Sequence, residues 1–169
     1  MPTPGLPYPQ QQTMTWKELH LKQELQQALH KFQFPSPSPI QTKALPKIIT
    51  GHNVICQSKA GTGKTAVFVL GILQRMTVRN NEYLGHQCLV IANTRELAYQ
   101  INMEFRRFCE FFRVPRIRVG CYFGGLPIER DIEELGSPTQ CPHIIIGTPG
   151  RILDLFRRGM INGSNVVHI

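Results

Sequence analysis

Two glycines, a lysine and a threonine within residues 57–65 have the types and spacing needed to surround phosphate groups. The segment reads Gln-Ser-Lys-Ala-Gly-Thr-Gly-Lys-Thr and lies between an apolar, strand-like run at 53–56 and a helix-like run at 66–76. Backbone N–H groups of such a turn, and the positive end of the following helix, attract anions. Lys64 would reach the outer phosphates, and the Thr65 hydroxyl would bind Mg²⁺. The predicted contacts are Ser58, Lys59, Ala60, Gly61, Thr62, Gly63, Lys64 and Thr65.

The first position of this loop differs from the usual pattern. Such loops begin with Gly six residues before the Lys, and here Ser58 stands at that position. Because Ser carries a Cβ, its backbone must adopt a conformation that residues other than glycine tolerate. The alternative interpretation is a glycine-rich turn that binds nothing. The register of the two glycines, Lys64 and Thr65 behind a strand-like run favours phosphate binding.

Strand-like and helical patterns alternate around this loop. Strands are predicted at 54–56, 88–92, 117–123 and 144–146, with one more opening at 166–169. Helices are predicted at 64–76, 95–112, 128–135 and from 149 or 150 to about 158. The alternation favours an α/β fold with a mainly parallel sheet.

Two more helices are predicted upstream of the loop. Apolar residues recur at helical spacing over 21–32, and a proline-containing connector at 34–39 is expected to be extended. Ser38 and Pro39 then supply an N-cap and a first-turn proline for a helix reaching about residue 49. Pro46 is expected to kink or shorten that helix. Residues 1–14, rich in Pro and Gln, are interpreted as a disordered tail.

Composition limits the functional classes. The chain has 169 residues, enough for one domain, and contains neither a bilayer-length apolar run nor the layout of a secretion signal. Its five cysteines are scattered, which fits reduced thiols in an intracellular protein. A formal charge of +8 makes a polyanionic partner plausible. The arginines between 106 and 118 are interpreted as a solvated face, and the acidic residues between 129 and 134 as an exposed helix.

Several further motifs follow one another in a fixed order. Phe34, Pro37, Ser38, Ile40 and Gln41 form F-x-x-P-S-x-I-Q, with Trp16 upstream. Thr-Arg-Glu-Leu-Ala at 94–98, Gly-Gly at 124–125 and Thr-Pro-Gly-Arg at 148–151 each follow a predicted strand. Together with the phosphate loop, they resemble the first RecA-like domain of DEAD-box RNA helicases, over residues 16–169.

Within that family, the branch with a D-E-C-D version of the Walker B motif is the most similar. It comprises nuclear helicases of splicing and mRNA export. The similarity rests on Cys-Gln at 56–57, Ala-Val-Phe-Val-Leu at 66–70, Phe-Gly-Gly-Leu at 123–126 and Cys-Pro-His at 141–143. Asn93 also replaces the Pro that most members carry. A related branch of cytoplasmic mRNA-decay helicases shares Gly-Arg-Ile-Leu-Asp-Leu at 150–155.

The resemblance implies a RecA-like P-loop fold, with helices on both faces of the sheet, and roles for individual residues. ATP and Mg²⁺ are the expected cofactors, with Lys64 and Thr65 acting in catalysis and Thr65 as a metal ligand. Gln41 would select adenine through N6 and N7, since a glutamine amide can pair with both. Trp16 would stack on the base and Phe34 would pack beside it. Gln33 stands where the family has Gly, and an ordinary core aromatic remains the alternative for Trp16.

The resemblance also implies a site for RNA. Backbone amides, hydroxyls and guanidinium groups donate to phosphate oxygens without reading sequence, so binding would be nonspecific and salt-sensitive. Helix capping is the alternative role for Thr94 and Ser38, and a structural ion pair is the alternative for Arg151. The implied RNA-binding residues are Thr94, Arg95, Glu96, Gly124, Gly125, Thr148, Pro149, Gly150 and Arg151.

The Walker B motif does not occur in these residues. In the family its Asp-Glu pair helps to hold Mg²⁺ and activate water, and the sequence has no Asp-Glu dipeptide. By resemblance it would follow shortly after Ile169, before a second RecA-like domain with the arginine fingers. Residues 15–169 are therefore expected to be a partial first domain, which binds ATP without hydrolysing it.

Three functional hypotheses stay open at this point. The first is the ATP- and RNA-binding lobe of a nuclear helicase with partners in mRNA processing, a cytoplasmic location being the alternative. The second is a non-catalytic product that binds RNA or protein. The third, an unrelated P-loop kinase or transporter ATPase, has no need for Gln41 or for the Thr-Pro-Gly-Arg segment. No membrane partner is expected.

Overall fold

The computed structural model describes residues 14–80, 82–83 and 85–168. The predicted tail lies outside the described residues except for Met14, which packs against the core. A 3₁₀ turn at Trp16–Leu19 precedes helices α1 (Gln23–Lys31), α2 (Pro39–Ile49) and α3 (Lys64–Arg75). The remaining elements are β1 (Val78–Arg79), β2 (Glu82–Tyr83), β3 (Cys88–Ile91), α4 (Arg95–Cys109), β4 (Val119–Tyr122), α5 (Glu129–Gly136), β5 (Ile144–Gly147), α6 (Pro149–Arg157) and a 3₁₀ turn at Gly163–Asn165.

The central sheet is parallel, with strand order β3-β5-β4. Its middle strand, β5, is buried on both sides, which explains the uninterrupted Ile-Ile-Ile sequence. Ile144 and Ile146 belong to a large cluster with apolar residues of α1, α3 and α4, whereas Ile145 packs with Leu135, Ile152 and Leu155. Helices therefore cover both faces of the sheet, as predicted. β1 and β2 form a separate antiparallel pair.

The predicted strand at 54–56 is wrong. Residues 52–59 have no assigned strand or helix, and the side chain of Ile55 is fully exposed. A strand needs a hydrogen-bonding neighbour, and the outer edge of β3 pairs with residues 167–168 instead of residues 54–56. Leu89 N–H donates to the carbonyl oxygen of His168 at 2.9 Å, and Val167 N–H to that of Gln87 at 3.0 Å. This pairing starts at the segment where a further strand was expected.

The remaining expectations differ from the structure mainly at element ends. β4 is shorter than the predicted 117–123, and α4 ends at Cys109 instead of residue 112. Helix α2 continues through Pro46 to Ile49, so this proline does not shorten it. Among the described residues, no helix is both long and apolar enough to cross a bilayer.

The arginines between 106 and 118 are not simply a solvated face. Arg106 donates to the carbonyl oxygen of Val119 at 2.8 Å, and Arg118 donates to that of Cys141 at 2.7 Å. The guanidinium carbon of Arg107 lies 3.9 Å from the centre of the Phe32 ring. Sequence spacing suggested one surface because it does not show that α4 packs against α1 and β4. Arg106 and Arg107 attach α4 to its neighbours, and Arg118 connects the segment before β4 to the segment before β5.

Three buried titratable groups, His143, Cys88 and Cys109, lie in the sheet or in the segments next to it. His143 directly precedes β5, is 2% exposed, and its Nδ1 accepts the Arg118 N–H at 3.1 Å. Burial, with the charges of Arg118 and His86, lowers the pKa of His143 to about 4. Burial also raises the pKa of Cys88 and of Cys109 to about 12, so both thiols stay protonated.

Candidate nucleotide-binding loop and nucleic-acid-binding groove

The predicted phosphate loop closes directly onto the N-terminus of α3. Gly63 is the N-cap of this helix with φ of 88°, and Gly61 has φ of 75°. Both values are in the left-handed region that glycine adopts readily. The first N–H groups of α3 have no partner within the helix, as at every helix start. The turn therefore presents backbone donors beside the positive end of the helix dipole.

Lys64 is held inside the loop. Its Nζ donates to the carbonyl oxygens of Ser58 and Lys59 at 2.7 and 2.6 Å. Thr62 Oγ1 also donates to the carbonyl oxygen of Lys59. The hydroxyl oxygens of Ser58 and Thr62 are 2.6 Å apart, and since the only hydroxyl proton of Thr62 is already used, Ser58 donates in this bond. The residue that replaces the usual Gly thus helps to hold the turn.

Gln41 connects helix α2 to the phosphate loop. It is 2% exposed; its Oε1 accepts the Ser38 N–H at 2.8 Å, and its Nε2 donates to the carbonyl oxygen of Gly63 at 3.3 Å. The Ser38 hydroxyl donates to the carbonyl oxygen of Thr62 at 2.9 Å. A Cβ at Gly63 would lie 2.5 Å from Gln41 Nε2, so only glycine permits this contact. Ser38 also precedes α2 as its N-cap.

The two aromatic residues predicted at the adenine site lie together. Trp16 Nε1 donates to the carbonyl oxygen of Phe34 at 3.0 Å, and the rings meet edge to face at 6.5 Å. Phe34 also packs against Phe108 at 6.3 Å. Gln33 has φ of 57°, which explains why the family favours Gly at this position. Trp16 is half-buried, so it packs on the core edge and keeps an accessible surface.

These groups fit the chemistry of a nucleoside triphosphate. The loop combines a flexible ammonium group, free backbone donors and an exposed threonine at the second position of α3. Lys64 has only to exchange two carbonyl oxygens for phosphate oxygens, which are stronger acceptors for an ammonium group. Thr65 would supply one oxygen to Mg²⁺, a cation that keeps several water ligands and binds phosphate oxygens.

A second site lies at the carboxyl ends of β3, β4 and β5. The strand-to-helix turns there surround an open cavity of about 660 Å³. Carboxyl ends of parallel strands form the usual ligand-binding edge of an open α/β sheet. The cavity is lined by Asn93, Thr94, Arg95, Glu96, Gly124, Thr148, Gly150, Arg151 and Asp154. Seven of these residues were predicted from the sequence to bind RNA. We refer to this cavity as the groove.

Capping groups and glycines shape the groove. Thr94 Oγ1 accepts the Leu97 N–H at 3.1 Å, so its capping role is confirmed. Thr148 is the N-cap of α6 and Pro149 its first residue, and no cap hydrogen bond involves the Thr148 side chain. Arg95 is exposed and lies over the Gly124–Gly125 turn, where a Cβ on Gly125 would meet its guanidinium.

Arg151 differs from Arg95 in its surroundings. Its Nη1 forms a salt bridge with Asp131 Oδ2, its Nη2 donates to the carbonyl oxygen of Leu126, and only 8% of its side chain is exposed. The structural ion pair, considered as the alternative role of this arginine, is therefore present. Burial raises the pKa of Asp131, and Arg151 opposes this shift.

A family model now decides the class of protein. The model described as DEAD/DEAH box helicase matches residues 38–167, a range that contains the loop and the groove. The chain belongs to the DEAD/DEAH box helicase family. The predicted resemblance is thereby confirmed.

Curated relatives and solved structures agree with this assignment. An ATP-dependent RNA helicase sub2 of Sclerotinia sclerotiorum is 46% identical over 142 residues, covering 84% of this chain and 31% of the relative. Human ATP-dependent RNA helicase DDX39A is 42% identical over 153 residues, covering 90% and 34%. These relatives agree with the predicted D-E-C-D branch. The chain spans about a third of their length.

The fold is shared with solved members of the family. A DEAD box protein from Methanococcus jannaschii matches with a TM-score of 0.77 at 30% identity, covering 90% of this chain and 39% of that one. A Dbp5 variant of S. cerevisiae bound to RNA and ADP BeF3 matches with a TM-score of 0.71 at 31% identity, covering 90% and 36%. The predicted RecA-like α/β class is confirmed.

Sequence reasoning missed Asn93 and Asp154 in the lining of the groove, and Asp131 and Leu126 as partners of Arg151. Asp131 was assigned to an exposed helix, because an acidic run on a short amphipathic helix gives no sign of a buried partner. Its position in the first turn of α5 places it beside the Gly-Gly turn, which only the folded chain shows. The carbonyl oxygen of Leu126 has no side-chain signature at all.

Proposed function

We propose that this chain forms the ATP- and RNA-binding lobe of an ATP-dependent RNA helicase. In the whole protein, this lobe and a second RecA-like domain would couple ATP hydrolysis to the unwinding of RNA duplexes. The support is the family membership, the names of relatives about three times as long, and two sites suited to a triphosphate and to a phosphate backbone.

The observation that carries the ATP assignment is the amide of Gln41. A glutamine amide offers two donor and two acceptor positions, and its bonds to Ser38 and Gly63 use one of each. One N–H and one lone pair remain, which match N7 and the N6 amino group of adenine. Guanine presents acceptors at both corresponding positions, so it would leave the Gln41 oxygen facing another acceptor. The pocket should therefore prefer ATP to GTP.

Fluorescent ATP and GTP analogues, titrated against the 169-residue chain, test this assignment. Gln41→Glu keeps the acceptor for the Ser38 N–H but loses the donor to N7, so ATP affinity should fall about 10- to 100-fold. Gln27→Glu, at an exposed position of α1, introduces the same charge and should change the ATP affinity little. Equal affinity of the wild-type chain for ATP and GTP would remove the basis of the assignment.

We propose that Mg²⁺ enters with the nucleotide and is held by Thr65 and phosphate oxygens. When bound, it neutralises charge on the phosphates. Because the sequence contains no Asp-Glu pair, the chain alone is expected to bind ATP without turnover. Steady-state phosphate release should equal that of Lys64→Ala, whereas clearly faster release would contradict this. A chain that also bound no nucleotide would favour the non-catalytic alternative.

The groove is proposed to bind the RNA sugar-phosphate backbone. Arg95 and the exposed turns at 124–125 and 148–150 supply guanidinium, hydroxyl and backbone donors without base-reading geometry. Short fluorescent oligo(U) and oligo(A) should bind with similar affinity, and both should weaken steeply with salt. Arg95→Ala should weaken both equally. A marked sequence preference would contradict backbone recognition.

The proposed cellular role is nuclear mRNA processing or export with protein partners. It is supported by similarity to the D-E-C-D branch and by the SUB2 and DDX39A relatives. Depletion of the whole protein in its own cells should retain polyadenylated RNA in the nucleus. A purely cytoplasmic protein with slowed mRNA decay would favour the alternative branch.

A further inference from the structure

Arg151 is the groove arginine whose two terminal nitrogens both have partners outside the groove lining. One terminal nitrogen pairs with Asp131 on α5 and the other donates to the carbonyl oxygen of Leu126. The side chains of Arg151 and Asp131 are 8% and 17% exposed. A planar guanidinium that connects a carboxylate and a carbonyl oxygen in this way fixes the geometry between the two.

The segment that Arg151 reaches is a short loop, Gly124, Gly125, Leu126 and Pro127, which we call the glycine loop. Gly125 has φ of 95°, and Arg95 lies so close that a Cβ could not be added there. The Arg95 guanidinium lies against the loop at its glycines, and Arg151 is hydrogen-bonded to it at Leu126. The bond from Arg151 constrains the loop backbone at Leu126.

Two roles for Arg151 make opposite predictions. If Arg151 binds phosphate directly, Asp131 competes with RNA, and removal of its charge should strengthen binding. If Arg151 orients the glycine loop, Asp131 keeps the guanidinium in place, and removal of its charge should weaken binding. The low exposure of both side chains favours the second role, since a partly buried pair loses its geometry when one partner is removed.

We propose that Asp131 and Arg151 form a clamp that holds the glycine loop in its RNA-binding conformation. Asp131 is then a positioning residue for RNA binding, although it carries the same sign of charge as phosphate. Arg151 acts through the loop and is not itself a phosphate ligand. This inference rests on the proposed binding of RNA in the groove.

Asp131→Asn and Asp154→Asn form a matched pair for the test. Asp154 also lines the groove, but its partner is Arg158, the C-cap of the same helix, at 3.0 Å, and both side chains are nearly half exposed. Each variant removes one negative charge at the groove. With short fluorescent oligo(U), Asp131→Asn should bind roughly tenfold more weakly, whereas Asp154→Asn should bind slightly more tightly, because exposed pairs contribute little. Tighter binding by both variants would overturn the clamp.

Arg151→Lys provides a second variant that preserves the charge and the surface. An ammonium group cannot reach a carboxylate and a carbonyl oxygen with the planar geometry of a guanidinium. The clamp predicts a loss close to that of Asp131→Asn, with an unchanged salt dependence. A direct phosphate contact predicts a small loss for Arg151→Lys, and for Arg151→Met a logarithmic salt slope lower by about 0.7. That reduced slope would overturn the proposal.

Amide hydrogen exchange without RNA separates this inference from the proposed function. Asp131→Asn and Arg151→Lys should speed exchange in residues 124–130, whereas Asp154→Asn should leave it unchanged. Unchanged exchange in both clamp variants would overturn the clamp even if the wild-type chain binds RNA. If the wild-type chain binds no oligo(U), or Arg95→Ala has no effect, RNA binding in the groove itself is refuted.

Discussion

Protonation of His143 should make the stability of this domain fall in mild acid. The imidazole directly precedes β5, accepts the Arg118 N–H at 3.1 Å and packs against the Tyr83 ring at 5.1 Å. Protonation would turn the accepting Nδ1 into a donor that faces another donor. It would also place a cation beside Arg118 and near His86, the two groups that add to the effect of burial.

The direction of this pH effect on stability follows from the pKa of His143, which is 6.5 in the unfolded chain and about 4 in the folded one. Because the unfolded chain takes up the proton first, the stability contribution is complete above the unfolded pKa and is lost as the pH falls toward the folded pKa. At about 1.4 kcal/mol per pKa unit, the loss is about 2 kcal/mol near pH 5 and at most about 3 kcal/mol below pH 4.

Urea unfolding at a series of pH values, followed through the fluorescence of the single tryptophan, measures this loss. His143→Asn is the control, because its Oδ1 can still accept the Arg118 N–H but does not titrate. Other acid-sensitive groups, including His168, whose pKa is also lowered by burial, affect both proteins equally. The variant should therefore lose about 2 kcal/mol less than the wild type between pH 7.5 and pH 5. Equal losses in the two proteins would refute the reasoning.

Four further substitutions test local features of the fold. Gly63→Ala and Gly61→Ala should each cost about 1 kcal/mol of stability, because both positions have a left-handed φ. Only Gly63→Ala should abolish ATP binding in a nucleotide titration, because its Cβ displaces the buried Gln41 amide. Gln33→Gly should raise stability by about 1 kcal/mol in urea unfolding, since φ of 57° is strained for glutamine; no gain would contradict this. Arg107→Ala should lower the free energy of unfolding by about 1 kcal/mol, because its guanidinium stacks on Phe32. An unchanged midpoint would show that this stacking does not stabilise the fold.

Local patterns predicted the helices and the buried strands well. The Ser38-Pro39 start of α2, the Thr94 cap of α4 and the apolar run of β5 are each encoded by a few adjacent residues. Such signals depend on backbone preferences and on burial of one or both faces, so they can be found without knowing the partner.

The failures concern interactions between distant segments. Residues 54–56 have a strand-like sequence, but their conformation depends on which segment occupies the edge of β3. Arg151 and Asp131 are separated by 20 residues, and each has a plausible solvated role when considered alone. Pairings of this kind depend on how α5 and α6 pack on the same face of the sheet. Periodicity gives no information about that arrangement.

The two sites are linked by the elements that build them. The phosphate loop opens α3, which packs against α4, and α4 begins with the groove residues Arg95 and Glu96. The ring of Phe68 on α3 lies 6.2 Å from that of Phe105 on α4, so a rigid-body movement of α3 would press on α4 through this packed aromatic contact. A nucleotide that draws Lys64 away from the carbonyl oxygens of Ser58 and Lys59 changes the first turn of α3 directly. The groove can respond to the nucleotide through this contact only if α3 moves as a rigid body. Rigid-body movement of α3 therefore predicts that amide exchange at 94–98 changes on addition of ATP in the wild-type chain and stays constant in Lys64→Ala.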